Sequence, residues 1–215
     1  MIYNFNHRGE DFHIDLYDHA DLLRLWFTDY HHNFYEIELL DYMSTLGPQT
    51  TILDIGANIG NHALYFQRFL SYSQIICFEP QHDNFNKLCN NIDFTKSIVA
   101  HKFALGNFNG RIGLEDNFMN RGNVSIKSGT DVPIYRLDDL GIVNISLMKI
   151  DVEAYELEVL KGASKIISRD HPRMFIEMWK EKLNENSQFL EILGYKQGRI
   201  FDVDGIKVYE FYHAK

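Results

Sequence analysis

The sequence predicts an α/β protein: a doubly wound, mostly parallel sheet, with an N-terminal hairpin/helix extension and a C-terminal antiparallel hairpin. Three observations predict it. From Thr50 onward, short β-branched runs alternate with stretches of helical period, the pattern of β-α-β units. Residues 145–150 form a nearly continuous apolar run, as a central strand covered on both faces requires. Residues 196–201 and 207–212 can pair through an Asp204-Gly205 turn and add an antiparallel edge. A chain of 215 residues with no internal repeat fits one domain with a small appendage. Residues 1–48 read as the appendage, a candidate lid, and residues 49–215 as the main domain.

The elements follow in order. Tyr3 and Phe5, then Phe12, Ile14 and Leu16, alternate around a turn-like segment at residues 6–11, which predicts a hairpin. Helical patterns follow at residues 20–27 and 35–46. In the second, Ile37, Leu40, Met43 and Leu46 share a face, and Gly47-Pro48 ends it. Strands are predicted at Thr51–Ile55, Gln74–Phe78, residues 98–104, Ile145–Ile150 and residues 174–178. Helices are predicted at residues 61–70, 82–92, 155–168 and 187–193, the last closed by Gly194. Residues 107–133, rich in glycine and polar side chains, read as a loop-rich excursion with short strands.

Composition excludes several classes. Only Cys77 and Cys89 are present, so a disulfide framework and a four-cysteine zinc site are ruled out, and both thiols are expected buried and reduced. The formal net charge of −9 opposes nucleic-acid binding, and no nucleic-acid partner is expected. The N-terminus lacks the basic start and apolar run of a signal peptide. No window approaches the ~18 apolar residues of a transmembrane helix. The expectation is a soluble, cytoplasmic protein.

Chemistry concentrates at three strand ends. Asp54, Gly56, Ala57, Asn58, Gly60 and Asn61 form a strand–turn–helix junction whose glycines let backbone amides approach a ligand at a helix N-terminus. Asn58 stands where a dinucleotide fingerprint has its middle glycine, and no Gly-Lys-Ser/Thr follows to make a P-loop. Glu79-Pro80 ends the next strand, where an acid can accept both ribose hydroxyl hydrogens of an adenosine. Taken alone it could equally be a solvated strand-end carboxylate. Third, Asp151, Glu153 and Glu156 crowd the end of the apolar central strand. Acids at a helix N-terminus are favourable by roughly 0.3–1 kcal/mol each, which accounts for Glu156 but poorly for Asp151.

Taken together, LDIGANIGNHAL, CFEPQHDNFNKLCNNI, HKFALGNFNGRIGL, RLDDL and LMKIDVEAYELEVLKGA resemble the FkbM family of S-adenosylmethionine-dependent methyltransferases, over about residues 34–179. The resemblance implies a class I methyltransferase, Rossmann-like fold with a seven-stranded sheet and S-adenosyl-L-methionine as cofactor. It implies that Gly56, Ala57, Asn58 and Gly60 line the methionine portion and ribose. Glu79 would bind the ribose hydroxyls, and Ala104-Leu105-Gly106 would approach the adenine. Asp151 would lie beside the methionine amino group or the transferred methyl, and Glu36, in a Tyr35-Glu36 pair, would close the cofactor pocket. Glu36 reads equally as a first-turn helix acid. One departure is Ala154, where the family usually has Gly after Asp-Val-Glu; its methyl group falls where a tight turn is needed.

The reaction expected is methylation of a hydroxyl on a carbohydrate or secondary metabolite. A hydroxyl is a poor nucleophile until its proton is leaving, so a base helps. Asp151 is the first candidate and Glu153 the second; His31 and His32 are weaker ones, reachable only if the N-terminal segment covers the pocket. Asp151, Glu153 and Glu177 could meet at neighbouring strand ends and offer oxygen ligands to Mg²⁺ or Ca²⁺, but their spacing is no recognised metal motif and no metal is assigned. Trp26, Phe27, Tyr30, Phe34 and Tyr35 read as helix packing, or as an apolar wall near the sulfonium or a sugar platform. Residues 120–125 read as a polar loop on the acceptor side, or equally as a solvated connector. The alternatives are an NAD-binding oxidoreductase sharing the same crevice, which Asn58 opposes, and a non-catalytic cofactor-binding protein, for which Ala154 leaves room.

Overall fold

Seven strands form one sheet in the computed structural model, which describes residues 1–18, 22–116, 124–203 and 205–214. Its centre is three parallel strands, β3 (Thr51–Ile55), β4 (Gln74–Phe78) and β9 (Ile145–Ile150), with the bounds the sequence predicts. Outside them lie β5 (Ile98–His101) and β10 (Arg173–Glu177), also parallel. β11 (Tyr195–Val203) and β12 (Ile206–His213) complete the order β11-β12-β10-β9-β3-β4-β5, and β12 runs antiparallel to both its neighbours. Of the predicted turn, Asp204 lies outside the described residues.

Side chains alternate across these strands, so each face builds its own core. Ile52, Ile75, Cys77, Leu147, Phe175 and Val208 face the first core. It is covered by α2 (Ile37–Ser44), α3 (Asn61–Phe69) and α4 (His82–Asn91), and by a hairpin of β1 (Ile2–His7) and β2 (Glu10–Asp15). Phe5, Phe12, Ile14 and Leu16 of the hairpin segment belong to that same cluster. Leu53, Ile76, Met148, Met174 and Phe211 face the second core, under α5 (Glu156–Gly162), α6 (Ser164–Asp170) and α7 (Lys180–Ile192).

Several elements differ from expectation. The helix expected at residues 20–27 is a short α1 (Leu22–Leu25) running into a π-helical turn at Trp26–Tyr30; its start lies outside the described residues. The strand expected at 98–104 breaks after His101, and Phe103 packs among Phe78, His101 and Tyr135. The chain then forms β6 (Ala104–Leu105) in a separate three-stranded sheet. Residues 107–133, expected to be loop-rich, contain two long strands of that sheet, β7 (Gly110–Asp116) and β8 (Val124–Tyr135). Ala104, Ile112 and Ile134 give it a small core of its own, and Pro133 is tolerated beside a register shift at Ile112/Gly113. The polar loop expected at 120–125 lies largely outside the described residues.

The helix expected at 155–168 is two helices. Gly162 backs so closely on Gly106 that a Cβ there would lie 1.8 Å from its carbonyl oxygen, and Ala163 leaves helical geometry. Asp138 restarts the chain as α6 by accepting the amides of Lys165 (3.2 Å) and Ile166 (3.0 Å). The last helix begins at Lys180 rather than 187. Its inward face includes Asn186, fully buried and donating to Lys182 O at 2.9 Å, so the polar run hid the helical period. Cys77 is buried and Cys89 half-buried, both free. No described helix is long and apolar enough to cross a membrane.

Candidate active site

A cleft opens beyond the carboxyl ends of β3, β4 and β9. Chain order reverses between β3 and β9, and such switch points are where doubly wound sheets bind ligands. Of the residues singled out in the sequence, Gly56, Asn58, Glu79, Pro80, Ala104, Leu105, Asp151 and Glu153 line it. Asp54, Ala57, Gly60, Asn61 and Glu36 are not among the lining residues. Asn61 instead exchanges hydrogen bonds with the Tyr35 backbone (3.0 and 3.1 Å), pinning the segment before α2 to the start of α3. Gly60 backs onto Leu88 of α4.

The first turn is tightened by Phe78 O, which accepts the amides of Gly56 (2.9 Å) and Ala57 (3.0 Å). Gly56 has φ +80°, and a Cβ there would fall 1.7 Å from Asp151 O. Asn58 also takes the left-handed region, φ +50°, which asparagine tolerates better than most residues. Its amide donates to Glu79 Oε2 at 2.8 Å, while Gln81 N donates to Oε1 at 2.8 Å. Burial pushes the Glu79 carboxyl up to about 7, although the amides of Gln81, Asn58 and Asn84 pull the other way. Asn58 Oδ1 is buried in the cleft wall without a hydrogen-bond partner among the described residues.

Beneath the third strand end lies a buried charge cluster that sequence reasoning missed. Lys149 is 1 % exposed, and its Nζ donates to Asp151 Oδ2 at 2.8 Å. Burial alone would lower this ammonium's pKa, but Asp151, Glu36, Asp54 and Glu177 together outweigh it and hold it above its ordinary value. Asp54 pairs in register with Lys149, so the two side chains share a sheet face. Burial raises the Asp54 carboxyl, and neither oxygen has a hydrogen-bond partner among the described residues. His62 Nε2 sits 2.7 Å from Glu36 Oε2; burial would raise Glu36, yet His62 and Lys149 bring it below its ordinary value. A lone lysine inside an apolar strand was the available signal for this cluster.

Asp151, Glu153 and Glu177 each bring a carboxylate oxygen within 4.8 Å of the others, the meeting the sequence suggested. Burial, reinforced by Asp151, pushes Glu153 up to about 8 and Glu177 well above the carboxylate range. Burial thus favours the protonated form of both, relative to an exposed carboxylate. Glu153 and Ala154 both adopt left-handed backbone, φ +51° and +68°, so Ala154 does occupy a turn that favours glycine.

The remaining candidates fall elsewhere. Tyr3 OH and His32 Nδ1 lie 2.7 Å apart, and His31 stacks on Trp26 at 3.6 Å; both histidines are exposed and neither lines the cleft. Phe27 and Phe34 are fully buried, with Phe34 ringed by Phe5, Phe12 and Tyr65. Cleft residues not singled out beforehand include Phe78, Asn84, Phe103, Leu114 and Tyr155.

This sheet order, with its cleft at the switch point, defines the class I methyltransferase fold. The model of the methyltransferase FkbM domain matches residues 54–200, and the chain belongs to that family. Among solved structures, the FkbM methyltransferase of Methylobacillus flagellatus KT superposes with TM-score 0.62 at 21% identity, covering 85% of this chain and 49% of that one. TYW2 of M. jannaschii, solved in complex with AdoMet, superposes with TM-score 0.51 at 12% identity, over 99% of this chain and 87% of that one. Among curated relatives, the hexuronic acid methyltransferase AglP of Haloferax volcanii is 27% identical over 124 residues, 53% of this chain and 50% of its own length. The methyltransferase sdnD of Sordaria araneosa is 26% identical over 171 residues, 60% of this chain and 66% of its own. The chain thus spans half to two thirds of the length of these relatives.

Proposed function

We propose that the chain is an S-adenosylmethionine-dependent methyltransferase acting on a hydroxyl of a small-molecule or glycan acceptor, a carbohydrate or secondary metabolite. The observation that carries this reading is Glu79: a buried carboxyl, gripped by two backbone amides, facing a cleft at the sheet's switch point. The residues fit the cofactor. Glu79 would accept the ribose hydroxyls, and the orphaned Asn58 Oδ1 offers an acceptor to a donor group of the ligand. Gly56, Asn58 and Asp151 would hold the methionine portion. Ala104, Leu105 and Phe103 supply an apolar wall for the adenine.

When bound, the cofactor supplies an electrophilic methyl group. The chain's part is to orient the acceptor oxygen, exclude water and take up its proton. Asp151, fixed by Lys149, is the base this reading favours. Glu153, pushed up to about 8, would take a proton only at higher pH. The hexuronic acid methyltransferase among the relatives supports a sugar acceptor.

Two measurements test the reading. Calorimetric titration with S-adenosylhomocysteine should show binding by the wild type that Glu79→Ala abolishes. Methyl-labelled S-adenosylmethionine should then transfer label to one of a panel of glycans, including uronic acid-containing ones. A folded wild type that ignores S-adenosylhomocysteine, with and without glycan, sinks the cofactor assignment; tight binding without transfer to any acceptor sinks the enzymatic one.

A further inference from the structure

Before the family-matched residues, Tyr17 touches a side chain that lines the cofactor cleft. Tyr17 follows β2 and is buried, 8 % exposed. Its hydroxyl donates to Asn84 Oδ1. Asn84 sits in the first turn of α4 and lines the cleft together with Glu79, whose carboxyl its side chain helps to hold down against burial. The backbone of Asn84 is fixed separately, since its N–H donates to Gln81 Oε1 at 2.7 Å.

Tyr17 is itself held firmly. Lys87 Nζ lies 5.0 Å from the centre of its ring and donates to Asp15 Oδ1 (3.0 Å) and Leu16 O (2.9 Å). Asp15 N donates to Asn91 Oδ1 at 2.6 Å, and Asn90 Nδ2 to Asp15 Oδ2 at 3.0 Å. The end of β2 is therefore clamped along α4, with the phenol placed against Asn84.

A primary amide has one accepting end and one donating end. A phenol O–H that occupies the oxygen decides which way the NH₂ turns. We propose that Tyr17 is a positioning residue of the cofactor site: by engaging the Asn84 carbonyl it turns the Asn84 amide onto Glu79 and fixes that carboxyl for the ribose hydroxyls. This rests on the reading of Glu79 as the ribose-binding carboxylate. It makes the N-terminal extension part of the cofactor site, although the family model begins at residue 54.

The test uses two ligands, S-adenosylhomocysteine and its 2′-deoxyribose analogue, titrated into wild type and Tyr17→Phe, with folding checked by circular dichroism. The ring and its packing survive this substitution; only the hydroxyl goes. The wild type should prefer the ribose ligand. Tyr17→Phe should weaken S-adenosylhomocysteine about fivefold, the size of one neutral hydrogen bond, and leave the deoxy analogue unchanged. Asn84→Ala should show the same selective loss, and adding Tyr17→Phe to it should cost nothing further. A discriminating wild type whose Tyr17→Phe variant loses both ligands equally, or neither, overturns the role of Tyr17 alone. Additive losses in the double variant do the same. A wild type that binds both ligands alike overturns the ribose reading of Glu79 and the role of Tyr17 with it.

Discussion

Two strand-to-helix turns meet at the cleft and solve one geometric problem with different residues. The turn after β3 places Gly56, Asn58 and Gly60 at positive φ. The turn after β9 places Glu153 and Ala154 there. Glycine enters the left-handed region freely and asparagine at small cost, whereas Glu and Ala are strained by roughly 1–2 kcal/mol each. The second turn is held by its surroundings: Ala154 N donates to Glu156 Oε1 at 2.8 Å, and Asp151 N to Ile55 O at 2.9 Å. The first turn makes room for the second, because the absent side chain of Gly56 is where Asp151 O lies. Strain therefore collects on the acid-bearing turn, where the proposed chemistry is, and the glycine-bearing turn stays relaxed.

The largest effect should come from filling that space. Gly56→Ala combines a backbone clash with a left-handed alanine, for a loss of about 3 kcal/mol or more. In a domain of this size the melting temperature should fall by at least about 6 °C. A variant that melts with the wild type would show that the two turns are not in contact.

Next comes the cation under the second turn. Lys149→Met removes the positive partner of Asp151 and leaves Asp54, Glu36 and Glu177 facing one another, at a cost of about 3 kcal/mol. Without the ammonium these carboxyls keep protons more readily. The loss should be larger at pH 8 than at pH 6, read from denaturant midpoints at each pH. A loss independent of pH would mean that Lys149 serves packing rather than charge.

Titration of the wild type gives the third comparison. Glu153 in the second turn and Glu79 beside the first have folded pKa values of about 8 and about 7, above their ordinary 4.5. Raised acids bind protons in the folded state that the unfolded chain has released. Their favourable share of stability is complete below 4.5 and is lost as pH rises through 7 and 8. Stability should fall by roughly 2 kcal/mol between pH 6 and 8 on account of Glu153, and Glu153→Gln should flatten that slope. A slope unchanged in the variant would place the titrating group elsewhere.

The same contrast explains what the sequence revealed. The first turn announces itself, because Gly56, Asn58 and Gly60 are the residue types that positive φ demands. The three central strands were legible to the residue because continuous apolar runs bounded by turns admit few other readings. The β7–β8 hairpin was not, since Gly113, Gly129 and Pro133 weaken local strand propensity and the pairing itself supplies the order. Lys149 is a charge in an apolar run, but its carboxylate neighbours Asp54, Glu177 and Glu36 come from β3, β10 and the segment before α2, so no local pattern announces the cluster. The Tyr17–Asn84 contact joins residues far apart in sequence, with no local pattern to mark it.

The smallest effect is also the most direct test of strain. Ala154 is exposed, so replacing it by glycine removes no buried contact and relieves a methyl held at φ +68°. Glycine also gains entropy in the unfolded chain, which offsets part of the relief. Ala154→Gly should stabilise the fold by up to about 1 kcal/mol, raising the melting temperature by about 2–4 °C. Asn58→Gly, made in the turn whose residues already suit their backbone, should change stability by no more than about 0.5 kcal/mol, because the amide that donates to Glu79 belongs to the backbone. Equal shifts in the two variants would mean that the second turn carries no more strain than the first. Stabilisation confined to Ala154→Gly, with labelled-methyl transfer reduced, would mean that the strain holds Glu153 and Asp151 where the acceptor needs them.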